Sequence, residues 1–205
     1  MYMIYIQIIG CGIFAAGSIV CAILLRKYPT EKVRESTTTI LHTITIFTFL
    51  LPVLIGIFYP GLTAYDVILD ISPLAYRPLF VVCGVILIPP GLFFVFTSIL
   101  ALSEKGHGQP GIFLTKKVVD GYVYKLCRNP MSFGFYSGCL ALGFISGSTY
   151  FSLWILIEII PSHILYLKIF EELELEIRFG QSYTAYKQQT PFLIPGFRHN
   201  RFLSG

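Results

Sequence analysis

Residues 131–167 read MSFGFYSGCLALGFISGSTYFSLWILIEIIPSHILYL and carry a single charge, Glu158, in 37 positions. A helix rises 1.5 Å per residue, so one helix of this length would extend roughly 55 Å, nearly twice the ~30 Å hydrocarbon core of a bilayer. The run therefore predicts two membrane helices joined by a turn, and Gly147-Ser148 supplies the turn. Pro130 is suited to open the first of them. The second is expected to continue past the membrane edge through Glu171 to Phe179 and to stop at Gly180, a C-cap glycine.

Working outward, three more stretches are long and apolar enough to span. Residues 1–25 contain no charge and lack a basic n-region, so they read as a retained membrane helix and not a signal peptide. Residues 26–35 form a charged break. Residues 40–59 give a second span, ended by Pro60-Gly61, and residues 62–78 a connection holding Asp66, Asp70 and Arg77. Residues 79–102 give a third, with a kink expected at Pro89-Pro90-Gly91. Composition agrees: 55% of the 205 residues are hydrophobic and 13% charged, against about 25% charged in a soluble domain. That excludes a disordered chain, a coiled coil and most soluble folds. The net charge of +4 and the lack of a dense basic run argue against nucleic acid as a partner. The predicted fold is an all-α integral membrane protein of about five transmembrane helices, the last two a helical hairpin. A cap from the 103–130 loop and the C-terminal tail covers one end. Residues 1–102 supply the three N-terminal helices and 103–205 the catalytic region, in one integrated domain.

The basic residues orient this arrangement. Arg26, Lys27, Lys32 and Arg34 follow the first span, Lys105, Lys116, Lys117, Lys125 and Arg128 the third, and Lys168, Arg178, Lys187, Arg198 and Arg201 the fifth, leaving Arg77 alone on the other side. With five alternating spans, 14 of the 15 basic residues share one side. The positive-inside rule makes that side cytoplasmic and puts the N-terminus outside. The cysteines (Cys11, Cys21, Cys83, Cys127, Cys139) have no CxxC spacing and the four histidines are scattered. Neither a disulfide framework nor a metal site is expected.

The functional side chains concentrate in the cap. Gly106-His107-Gly108-Gln109-Pro110-Gly111 allows close backbone approach to a ligand, although such a loop also reads as a plain turn. Arg128 stands at the membrane edge, either as a snorkelling arginine or as a two-point clamp for a carboxylate or phosphate. Four carboxylates, Glu171, Glu172, Glu174 and Glu176, fall within six residues. A solvated helix end is one reading. The other is a partner for a cationic cofactor, because acids near a helix C-terminus oppose the macrodipole. Glu158 lies near mid-bilayer, where an acid is a functional candidate. It is 14 residues from Glu172, within about 40° of the same face of a regular helix, with Glu171 pointing elsewhere. His163 reads as an interhelical hydrogen-bonder.

Arg128-Asn129-Pro130-Met131, the Glu171-Glu172 pair, Arg178-Phe179-Gly180-Gln181-Ser182-Tyr183-Thr184-Ala185-Tyr186 and Pro191-Phe192-Leu193-Ile194-Pro195 occur in that order. Over roughly residues 100–197 this resembles the isoprenylcysteine carboxyl methyltransferases and the related phospholipid methyltransferases. The resemblance implies an S-adenosylmethionine-dependent enzyme. Its cofactor pocket would involve Gly106, His107, Gly108, Val118, Val119, Tyr124, Asn129, Pro130, Glu171 and Glu172, with Tyr183 and Tyr186 closing the tail over it. Arg128 would face the substrate and, with Glu172, form the catalytic pair. The implied acceptor is lipid-linked, first an isoprenylcysteine-type carboxylate and alternatively a phospholipid amine. An NADPH-dependent sterol-type reductase and a non-enzymatic membrane protein are the other readings. The chain has Asn129 where the isoprenylcysteine enzymes have His, a form also found in phospholipid-methylating relatives. Ser132-Phe133 replace the family's tyrosine, and Gly121 sits one residue early.

Overall fold

The computed structural model describes residues 2–59, 61–105 and 117–196. They form helices and turns, and no strand occurs among them. Helix α1 is Tyr2–Lys27, α2 Glu31–Phe58, α3 Ala64–Ile68, α4 Arg77–Lys105, α5 Pro130–Ser146, α6 Thr149–Phe179 and α7 Gln181–Gln189. By length and composition α1, α2, α4 and α6 can each cross a membrane. α5, the predicted fourth span, has 17 residues, at the short end of what a bilayer needs.

Several boundaries fall where local chemistry sets them. Pro130 occupies the first turn of α5. Gly147 ends that helix in the left-handed region at φ 77°, where an L side chain is strained. Ser148 then caps α6, its side chain accepting the Phe151 N–H at 3.1 Å. Gly180 ends α6 at φ 55° and ψ −128°. α2 begins earlier than expected. Thr30 caps it, accepting from the Val33 N–H at 3.3 Å, so only residues 28–30 of the stretch read as a charged break lie outside helix. α4 runs through Pro89 and Pro90 as helix. The 62–78 connection is also more ordered than its sequence suggests. It carries α3, whose buried Asp66 accepts the Tyr150 N–H at 2.7 Å and places a carboxylate at the start of α6.

The most extensive helix pairing is antiparallel, α4 against α5. Small residues permit it. A Cβ on Gly134 would lie 2.8 Å from the Gly91 carbonyl oxygen and 2.8 Å from the Val95 nitrogen, so these backbones touch directly. α1, α2 and α6 meet around a second seam built on Phe14, Leu41, Phe49, Ile155, Ile159, Tyr166 and Phe170. The outer faces of α1 and α4 expose Ile9, Ile13, Val20, Leu79, Ile86 and Phe93, as helices bathed in lipid do.

Three places depart from α geometry with direct bearing on the site, one of them a π-turn in α2 at Ile46–Leu50 that holds Phe49. π-turns interrupt α6 at Ile155–Ile159 and Leu167–Glu171. A π-turn fits one extra residue into a turn and shifts the phase of everything beyond it. The 14 residues from Glu158 to Glu172 then advance like 13, leaving the two about 140° apart. The single face inferred for them from uniform 100° steps is therefore broken.

Candidate functional site

The cap is held by one knot of charge and backbone. A 3-10 turn at Tyr122–Lys125 leads to Arg128, whose side chain, like that of Glu172, is 10% exposed. Nη2 of Arg128 donates to Glu172 Oε1 at 2.7 Å, and Nη1 donates to the carbonyls of Lys187 at 2.6 Å and Thr190 at 2.9 Å. Lys187 Nζ closes the knot, 2.6 Å from Glu172 Oε2 and 2.9 Å from Glu176 Oε1. Around it the loop and tail pair like a short zipper. The Arg128 N–H donates to the Pro191 carbonyl at 2.8 Å, Asn129 Nδ2 to the Phe192 carbonyl at 3.0 Å, and the Gly196 N–H to the Leu126 carbonyl at 3.0 Å. The Tyr186 hydroxyl donates to the Tyr124 carbonyl at 2.7 Å. Planar guanidinium geometry suits this task, since one fork reaches two carbonyls and a carboxylate at once.

Beneath the knot lies a cavity of about 460 Å³ that runs from the cap into the helix bundle, within the usual size range of small-molecule sites. Val118, Val119, Tyr124, Asn129, Pro130, Glu171, Tyr183 and Tyr186, all expected at a cofactor, line it together with Arg128. Glu172 does not line it. Consecutive helical residues point about 100° apart, and here Glu171 turns to the cavity while both oxygens of Glu172 face the knot. Gly106, His107 and Gly108 lie outside the described residues. Glu158 is absent from the lining and sits instead beside Cys11 of α1.

The lining groups contributed by α2 carried no sequence signal. Thr38, His42, Thr45 and Phe49 come from α2, which the motifs do not reach. Glu174 and Arg178 line the cap end as a pair 2.8 Å apart, and Arg34 of α2 approaches Glu174 at 3.5 Å, fastening α2 to the end of α6. His163 also lines the cavity, with its Nδ1 2.7 Å from the Tyr136 hydroxyl of α5. The expected interhelical hydrogen bond is present. A 3.6-residue repeat across this part of α6 would not have revealed which residues face inward, because the π-turns reset it.

Electrostatics in the cap favour neutral hydroxyls and a charged lysine. Burial, reinforced by the negative charge of Glu171, raises the Tyr124 phenol above its ordinary range. Burial does the same to Tyr183 and Tyr186. Burial pushes the Cys127 thiol up to about 11, which leaves it protonated and unreactive near neutrality. For Lys187 burial pulls downward, but its hydrogen bonds and attraction to Glu172 and Glu176 together prevail and raise it.

Against known proteins, no curated sequence and no solved structure matches this chain. A family model does match, that of the phospholipid methyltransferases, over residues 79–182. The matched stretch starts in α4, earlier than the resemblance suggested, and ends before Tyr183. It takes in the α4–α5 pair, the Arg128-Asn129-Pro130 segment and the Glu171-Glu172 pair. It spans half of the chain, and the chain accordingly belongs to the phospholipid methyltransferase family.

Proposed function

We propose that this protein transfers a methyl group from S-adenosylmethionine to the amine of a membrane phospholipid. The observation that carries the reading is the cavity. Its mouth is polar and built by the cap, and its interior is lined by Phe49, Phe135, Tyr166 and Phe170 of the membrane helices. A water-soluble donor and a lipid-borne acceptor can meet there without either leaving its own phase.

The residues fit the donor. S-adenosylmethionine is a sulfonium cation, and the lining combines aromatic faces with the carboxylates Glu171 and Glu174, both of which attract cations. Bound there, the sulfonium would supply an electrophilic methyl group. The chain's own contribution is positional. Tyr183 and Tyr186 form part of the wall, and the Arg128–Glu172–Lys187 knot holds the tail that carries them. A closed cap aligns the reactants and keeps water out. The cap faces the cytoplasm in this reading, where the donor is made, in keeping with the clustering of basic residues on that side.

The acceptor follows from what the polar groups are already doing. A carboxylate acceptor calls for a free guanidinium, and both terminal nitrogens of Arg128 are engaged by protein partners. The cavity instead presents His42, His163 and Glu171, groups that attract an ammonium or take its proton. O-methylation of an isoprenylcysteine carboxylate is the second reading, favoured by the presence of Arg128 and Arg178 in the lining.

Purified protein with labelled S-adenosylmethionine, offered phosphatidylethanolamine vesicles and a prenylcysteine analogue side by side, tests the assignment. Label is expected in the amine, and label in the carboxylate alone would replace it by the second reading. Calorimetric titration is expected to show binding of S-adenosylhomocysteine. Binding of NADPH in its place would favour the reductase.

A further inference from the structure

His163 belongs to none of the motifs, yet aromatic rings and a hydrogen bond orient it in the cavity. It lies two turns before Glu171 on α6, about 12 Å deeper into the bundle. Four aromatic rings fix its plane. Phe14 of α1 stacks on it at 6.1 Å between centroids, Tyr166 stacks at 5.5 Å, and Phe49 of α2 and Tyr136 of α5 meet it edge-on, each at 5.8 Å. The Tyr136 hydroxyl lies 2.7 Å from Nδ1. Nε2 has no protein partner among the described residues. The titratable groups around it are Tyr136 on α5, His42 on α2 and Tyr166 on its own helix, while α1 brings Phe14 against it and Cys11 against the neighbouring Ser162. Glu171, Glu174, Arg128 and Arg178 stand nearer the cap.

We propose that His163, with Nδ1–H donating to the Tyr136 hydroxyl oxygen and the Nε2 lone pair open to the cavity, is the base that deprotonates the lipid ammonium before methyl transfer. This rests on the amine reading above. A primary ammonium has no lone pair and cannot attack. One of its N–H bonds breaks, the proton passes to Nε2, and the electron pair left on nitrogen forms the bond to the methyl carbon as the carbon–sulfur bond breaks towards sulfur. The products are a methylated ammonium, a neutral thioether and a histidinium, which returns its proton to solvent when the cap opens. The transfer moves one positive charge between two sites in the same cavity. Desolvation therefore penalises reactant and product states alike. The Tyr136 hydroxyl can donate or accept; accepting from Nδ1–H, it leaves the Nε2 lone pair bare, which is its role as a positioning residue.

The first test needs no donor. Imidazole ¹⁵N spectra of the ligand-free protein in detergent, with the four histidines assigned by substitution, should show His163 protonated at Nδ1 and bare at Nε2. The opposite tautomer overturns the proposal. In turnover, His163→Gln should bind S-adenosylhomocysteine as the wild type does but methylate phosphatidylethanolamine some 10²–10⁴-fold more slowly. It should also lose the acidic limb of the kcat–pH profile. Tyr136→Phe, which keeps the base, should displace that limb with a smaller loss of rate, and it carries the test should His163→Gln not fold. Amine methylation by His163→Gln at the wild-type rate and pH profile would overturn this assignment and leave the amine reading standing. A wild-type chain that methylates no amine would remove both.

Discussion

Arg128→Ala separates two meanings of the arginine. In the structure it ties the tail down, while as a free anion clamp it would only recruit substrate. Breaking a buried charge pair costs about 3–5 kcal/mol. Lys187 stays on Glu172 at 2.6 Å in the variant, so the lower end applies, about 3 kcal/mol. The carbonyls of Lys187 and Thr190 also lose their donor. The loss falls on docking of the tail, since the helices beneath are held by the α1–α2–α6 seam and the α4–α5 pair. At 1.4 kcal/mol per factor of ten, the undocked population should rise about 100-fold. Hydrogen exchange reads this at two amides that cross the loop–tail boundary, that of residue 128, bonded to the Pro191 carbonyl, and that of Gly196, bonded to the Leu126 carbonyl. Both should exchange about 100-fold faster, trypsin should cut after Lys187, and S-adenosylhomocysteine should bind more weakly. Unchanged exchange at both amides, with a raised KM for a carboxylate acceptor, would refute the tether and restore the clamp.

Gly134→Ala should lower the melting temperature in detergent by the equivalent of about 1–3 kcal/mol, the usual cost of overpacking, because its new methyl meets backbone on both sides. Gly138→Ala, with nothing within 4 Å of its Cβ, should melt as the wild type does. Asp66→Ala removes the acceptor of the Tyr150 N–H and should cost about 1–2 kcal/mol in the same measurement. Stability should fall as pH rises above 9. Cys127 has an ordinary value of 9.0 and is pushed up to about 11 in the fold, so between these values the unfolded chain has lost a proton that the folded chain keeps. Lys187, raised by its carboxylates, acts in the same direction, stabilising below its ordinary value and losing this as pH climbs through the raised one. A melting temperature that stays flat or rises from pH 8 to 11 would contradict both signs.

Much of the fold was legible because lipid leaves a coarse signature. Charge-free runs placed α1 and α4 to within three residues, and Pro130, Gly147 and Ser148 marked the α5–α6 turn. α2 began early because Thr30 caps it, a local contact that hydropathy does not register. Part of the cavity lining was legible in the sequence, but not which way its residues face. Arg128, Asn129 and Glu171-Glu172 were identified, yet which glutamate meets the cavity depends on a helical phase that the π-turns alter. Arg128 was noticed for its charge, but the carbonyls it holds lie 59 and 62 residues further on, and backbone acceptors leave no mark in a sequence. His42 and Thr38 were missed for a related reason. α2 comes to the site only through tertiary packing, and no motif spans that distance.

The π-turn at Leu167–Glu171 means that the site is specified by a number as well as by residue types. Deleting one apolar residue there, Ile169 for instance, would leave every polar group named above in the chain and return the turn to ordinary α geometry. The eight steps from His163 to Glu171 advance like seven through the π-turn, so seven in a regular helix would keep the same facing. Keeping all eight in a regular helix would instead swing His163 by about 100° relative to Glu171. A relative with all the same motif letters but one residue fewer in this stretch would thus carry the same interior on a plain α-helix.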